Sequence, residues 1–182
     1  FSRNHLKRGM LVFGGGAIVS LVTCLLMPEN RILFGVLTCI GSCMIAMIPL
    51  EKCAKKVPVA AGLAGSFLLF LLLRNCADGS LGFESLVLCD LPAALYRNNL
   101  TAYLGFPQPG FFSTDYFPLI PWFFLFLAGT YLGLWVKEGK APAWLYPSRL
   151  PWLEWVGRHT LWIYVLHQPI LIGLFWLFFQ LF

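Results

Sequence analysis

His167 stands eight residues after His159 in a strongly apolar stretch of a 182-residue chain. A helix opening near His159 rises about 1.5 Å per residue, so it carries His167 roughly 12 Å in, close to the middle of a bilayer's hydrocarbon. An ionisable group at that depth is expensive and points by default to function. Thr160, Tyr164, His167 and Gln168 fall at helical spacing and form one polar stripe. Pro169 then removes a backbone donor and frees the carbonyl of Val165. The stripe reads in one of two ways. It is the wall of a cavity, where an imidazole with a pKa near neutrality handles a proton, or it is a neutral histidine bonded to a neighbouring helix for packing.

A second constellation is Ser113-Thr114-Asp115-Tyr116-Phe117-Pro118 with Pro121-Trp122. Asp115 precedes an apolar run, where a carboxylate can orient a histidine, bind an amine or hydroxyl, or act as a base. The plainer reading, favoured by residue type alone, is an N-cap of the helix that follows. Lys7-Arg8 and Gly157-Arg158-His159 are cation clusters able to pair with phosphate, although membrane topology alone also demands such charges. Gly129-x-x-x-Gly133, and Gly62 with Gly65, suit close helix packing in lipid. None of the six cysteines forms a C-x-x-C pair, and no metal site is expected. Cys24, Cys39 and Cys43 lie in apolar runs as small hydrophobes, whereas Cys76 and Cys89 share a loop where pairing stays open. Asn99-Leu100-Thr101 matches a glycosylation acceptor, a pattern common by chance.

These residues need elements to position them. Five apolar stretches have spanning length or nearly so: about 9–27, 32–50, 57–73, 117–136 and 160–181. With the N-terminus in the cytoplasm, the inner segments hold ten cations: Arg3, Lys7, Arg8, Lys52, Lys55, Lys56, Lys137, Lys140, Arg149 and Arg158. The outer ones hold three, Arg31, Arg74 and Arg97. That positive-inside asymmetry fixes the orientation and sets the C-terminus outside. The connection 74–116 is too long for a simple turn. Its apolar stretches and the turn signals Asp78-Gly79 and Pro107 to Gly110 predict an ordered external loop with a short strand or helix.

Composition agrees. The chain is 59% hydrophobic and 12% charged, against about 25% charged in soluble domains. A soluble globular domain is excluded. The formal charge of +5 is scattered in short clusters between apolar runs, which serves topology rather than nucleic acid. The expected class is therefore an all-α integral membrane protein: a bundle of about five transmembrane helices in a single transmembrane domain, in contact with the lipid bilayer, with one long ordered external loop.

The run Asp115 to Trp122, then Gly129 to Gly133, then Gly157-Arg158-His159-Thr160-Leu161-Trp162-Ile163-Tyr164-Val165-Leu166-His167-Gln168-Pro169 resembles the C-terminal half of bacterial members of the heparan-α-glucosaminide N-acetyltransferase family. Lys7-Arg8-Gly9, Phe34 to Leu37, Leu95-Tyr96 and Leu104-Gly105-Phe106 fit the same pattern. The resemblance implies a transmembrane acetyltransferase, N- or O-directed. Such an enzyme moves acetyl from cytoplasmic acetyl-CoA to a sugar amine or hydroxyl, on a sugar or glycan acceptor at the outer face. It implies a bacterial plasma membrane and a chain lacking the family's N-terminal helices, with a homo-oligomer left open. Carried over residue by residue, His167 is the base or orienting group and Asp115 its outer-face partner. Tyr116, Trp122, Tyr164 and Gln168 shape the acceptor site, and Lys7, Arg8 and Arg158 lie near the CoA phosphates. Two rival readings are a transporter whose path the polar stripe lines and a non-catalytic membrane scaffold. A single helix-breaking proline and the lack of an internal repeat count against transport.

Overall fold

The computed structural model describes residues 2–146 and 151–181; Arg149 and the side chains of residues 2, 3, 144, 168, 169, 172 and 181 lie outside the described residues. The chain divides into two compact units, Phe1–Lys140 and Ala141–Phe182.

The first unit is built on four long helices: α1 (Ser2–Leu26), α2 (Val36–Ala54), α3 (Val59–Leu72) and α5 (Leu119–Lys137). Prolines and glycines set their limits. Pro28 follows α1 and opens a short 3-10 turn, Pro58 forces Val57 out of helical geometry ahead of α3, and Gly35 is extended just before α2. The second helix consequently starts four residues later than the apolar run that predicts it, because 32–35 is held in the loop. Four described helical stretches are long and apolar enough to cross a membrane: Asn4–Leu26, Val36–Ala54, Val59–Asp78 and Leu119–Lys137. The 19 residues of α2 span about 28 Å, close to the hydrocarbon thickness.

Helix α2 packs against both α1 and α5, and α5 packs in turn against α3. Close approach depends on absent side chains. A Cβ at Gly41 would lie 2.5 Å from the Phe13 backbone nitrogen, and one at Gly62 2.3 Å from the Tyr131 ring. The Tyr131 hydroxyl then donates to the Ala54 carbonyl at 3.2 Å. Of the glycines expected to pack, Gly62 alone does so here; within this unit nothing stands against Gly65, Gly129 or Gly133. The buried core is small, and large apolar side chains such as Leu11, Leu21, Leu25, Leu68 and Leu132 point outward. In water that surface would be untenable; in lipid it is the ordinary exterior.

The connection from α3 to α5 is ordered. It holds a 3-10 turn (Arg74–Asp78), the hairpin β1 (Ser80–Phe83) and β2 (Leu86–Asp90), and α4 (Asn99–Leu104). The strands are antiparallel, pairing Ser80 with Asp90 and Phe83 with Leu86, with a register irregularity between Leu81 and Gly82. Asn75 clamps the hairpin turn: its amide donates to the Glu84 carbonyl at 2.8 Å and its oxygen accepts the Glu84 N–H at 2.9 Å. Helix α4 opens on a capping box between Asn98 and Thr101, so the Thr101 hydroxyl of the acceptor-like triplet serves the helix start. Cys76 is buried and Cys89 exposed, and both are free thiols.

The second unit carries α6 (Pro151–Leu181), which covers the fifth apolar stretch. Mostly helical, with membrane-length helices and one ordered long loop, the chain has the all-α membrane architecture expected from its composition.

Candidate functional site

Asp115 is the best-defined of the expected site residues, and its role differs from the simplest expectation. It does not cap the helix that follows, for α5 begins at Leu119 after Pro118 at the N-cap position, with no side-chain cap. Its Oδ2 instead accepts the backbone N–H of Val36 at 3.3 Å, at the start of α2 and 79 positions back in the chain. A positive helix end is thus met by a carboxylate delivered from afar. The surrounding segments lock together. Ser113 Oγ accepts the Leu33 N–H at 2.9 Å and donates to the Leu33 carbonyl at 2.9 Å. The N–H groups of Thr114 and Phe117 donate to the carbonyls of Arg31 and Phe34 at 3.1 and 3.0 Å. Gly35 leaves room for this join, since a Cβ there would sit 2.9 Å from Asp115 Oδ2.

Tyr116 and Trp122 stand at the same end. The Tyr116 hydroxyl donates to the Ala102 carbonyl and its ring lies 5.1 Å from that of Phe111. Burial pushes its phenol well above the ordinary tyrosine value, so it stays a neutral donor. Trp122 is packed between Phe117 at 4.8 Å and Phe70 at 5.5 Å, with the Arg74 guanidinium 5.2 Å from the ring centre. Trp122 therefore ties the long loop to α3 and α5, while Tyr116 braces the loop against its own α4.

One cluster at this end has no counterpart among the expected residues. Thr38, Cys39, Ser42 and Cys43 form a buried face of α2. The Tyr103 hydroxyl, from α4, donates to Ser42 Oγ, which donates to the Thr38 carbonyl at 2.6 Å. Burial raises the Tyr103 phenol, while its bond to Ser42 acts in the opposite sense. The small polar spacing on α2 is visible in sequence, but its partner lies 61 positions away.

Lys7 and Arg8 are exposed near the start of α1, at the opposite end of this unit. In the second unit, Arg158 pairs with Glu154 at 2.5 Å one turn back. His159 stacks on Trp155, and the Thr160 hydroxyl donates to carbonyls of its own helix. His167 is half-buried, with Nδ1 against the Tyr164 carbonyl and its ring 5.4 Å from the Tyr164 ring. A carbonyl can only accept, so Nδ1 is the donor in this contact and Nε2 is the ring nitrogen it leaves over. The Gln168 side chain lies outside the described residues. The structure thus brings Asp115, Tyr116 and Trp122 to one end of the first unit, places Lys7 and Arg8 at the other, and keeps Tyr164, His167 and Arg158 along α6.

Membrane-length helices and an ordered loop locked to their ends define a polytopic membrane protein. The family model described as heparan-alpha-glucosaminide N-acetyltransferase, catalytic, matches residues 2–169, from the start of α1 through the His167 stripe. That is well over half of the chain, and the protein belongs to this family. In general class it is a transmembrane acetyltransferase. No curated protein and no solved structure matches the chain.

Proposed function

We propose that the protein transfers acetyl from acetyl-CoA on the cytoplasmic side to an amine or hydroxyl of a sugar on the outer face. The reading is carried by one observation: the catalytic family model takes in both the Asp115 segment and the His167 stripe. In the reaction the acceptor nitrogen or oxygen attacks the thioester carbon, the new bond to acetyl forms and the carbon–sulfur bond breaks. The acceptor's proton goes to His167 Nε2, and the CoA thiolate leaves. Asp115 is the proposed partner of this step, and Tyr116, Trp122, Tyr164 and Gln168 shape the acceptor site. Lys7, Arg8 and Arg158 are proposed for the CoA phosphates, which cations on a polar membrane face suit well. The assignment rests on the chemistry of each group and is tested by variants in both units.

The arrangement of the first unit supports a divided task. Its cation pair and its carboxylate lie at opposite ends of helices about 28 Å long, so donor and acceptor chemistry would belong to different membrane faces. The direct test measures acetyl transfer by the full chain in nanodiscs. His167→Ala and His167→Gln are each expected to lower turnover by about a hundredfold or more with donor binding retained. Unchanged turnover in both variants overturns the assignment of His167. Solute flux without CoA binding overturns the enzyme reading in favour of transport.

A further inference from the structure

At the end of the first unit that carries Lys7 and Arg8, a cavity of about 270 Å³ opens between α1, α2 and α5. Its floor is the face of α2 formed by Met44, Met47, Ile48 and Glu51, residues three and four apart. Phe126, Thr130 and Leu134, four apart on α5, make one wall, and His5 of α1 stands at the other side. The lining is mainly hydrocarbon and thioether. Thr130 turns its hydroxyl to the Phe126 carbonyl at 3.0 Å. The wall therefore lacks the converging donors and acceptors that orient a polar small molecule.

Charge is confined to the mouth. His5 and Lys55 are exposed there, and Lys55 pairs with Glu51 at 2.6 Å. Around them the same end of the unit exposes Lys7, Arg8, Lys52, Lys56, Lys137 and Lys140, set against Glu51 and Glu138. An apolar slot in a spanning segment, rimmed by an excess of cations at the membrane surface, matches one kind of molecule: an acyl chain bearing an anionic head. We infer that this groove binds an anionic phospholipid of the adjoining leaflet, with a chain along Met44, Met47 and Ile48 and its phosphate at Lys55 and His5. None of the lining residues has a role in the acetyl-transfer reading, which draws only on Lys7 and Arg8 of the surrounding rim.

The test is native mass spectrometry of the full chain released from micelles containing equal phosphatidylglycerol and phosphatidylcholine. Phosphatidylglycerol is expected to be retained in preference. Lys55→Gln, a surface change, lowers that retention about fivefold, the effect of one cation at a membrane surface. Met47→Trp fills the groove and removes the retained lipid, while Lys140→Gln, outside the lining, changes retention less than twofold. Equal retention of the two lipids overturns the inference, and so does retention insensitive to Lys55→Gln. Displacement of the lipid by acetyl-CoA also overturns it and reassigns the groove to the donor.

Discussion

Replacing Asp115 separates two things the residue does, because its carboxylate is both an acceptor at the start of α2 and a charge beside the expected acceptor site. Asp115→Ala removes the bond to the Val36 N–H at 3.3 Å. Loss of such a cap costs about 1 kcal/mol, and loss of the charge at the helix end adds roughly 0.3–1 kcal/mol, so the total is about 1–2 kcal/mol. For a chain of this size each kcal/mol lowers the Tm by about 2–4 °C. Asp115→Asn keeps an acceptor in place and loses only the charge, so it is expected to lose roughly 0.3–1 kcal/mol. Thermal unfolding in detergent, followed by the fluorescence of the seven tryptophans, resolves the two variants. Turnover should then diverge from stability: Asp115→Asn is expected to lose about a hundredfold in acetyl transfer while melting close to the parent. If Asp115→Ala melts like the parent, the capping argument fails. If Asp115→Asn keeps full turnover, the residue is a cap and nothing more.

Gly62→Ala sets a methyl 2.3 Å from the Tyr131 ring and is expected to destabilise by about 1–3 kcal/mol, whereas Gly65→Ala meets nothing and gains up to about 1 kcal/mol. Melting temperatures of the two variants should therefore move in opposite directions, and a shared direction refutes the α3–α5 packing. Burial raises the Tyr116 phenol above its ordinary value of 10.0. The neutral form is thus favoured by folding, and that stability is complete below about pH 10 and lost as pH rises further. Tyr116→Phe should cost about 1 kcal/mol at neutral pH through its lost bond to Ala102, and should flatten the alkaline fall in Tm. An unchanged alkaline slope contradicts that origin.

The apolar helical stretches were legible because each is a local property of consecutive residues, although α6 begins at Pro151 and not near His159, and the order of the long loop was legible from its turn signals. What lay beyond reach was pairing. The type of Asp115 announced a cap, yet nothing local shows that it serves α2 rather than α5. The same holds for Ser42, whose spacing with Thr38 is visible while Tyr103 is not. Gly62, Gly65, Gly129 and Gly133 look alike in sequence, and only the position of Tyr131 singles out Gly62. On α6 the polar spacing was readable, but the contact of His167 Nδ1 with the Tyr164 carbonyl depends on the rotamer.

The most direct measurement places the full chain in sealed vesicles, with radiolabelled acetyl-CoA on the face bearing Lys7 and Arg8 and an amino sugar on the other. Label is expected on the sugar across the membrane, and to fall by about a hundredfold or more with His167→Ala. Acetyl transfer that never crosses, or a full rate without the imidazole, contradicts the account.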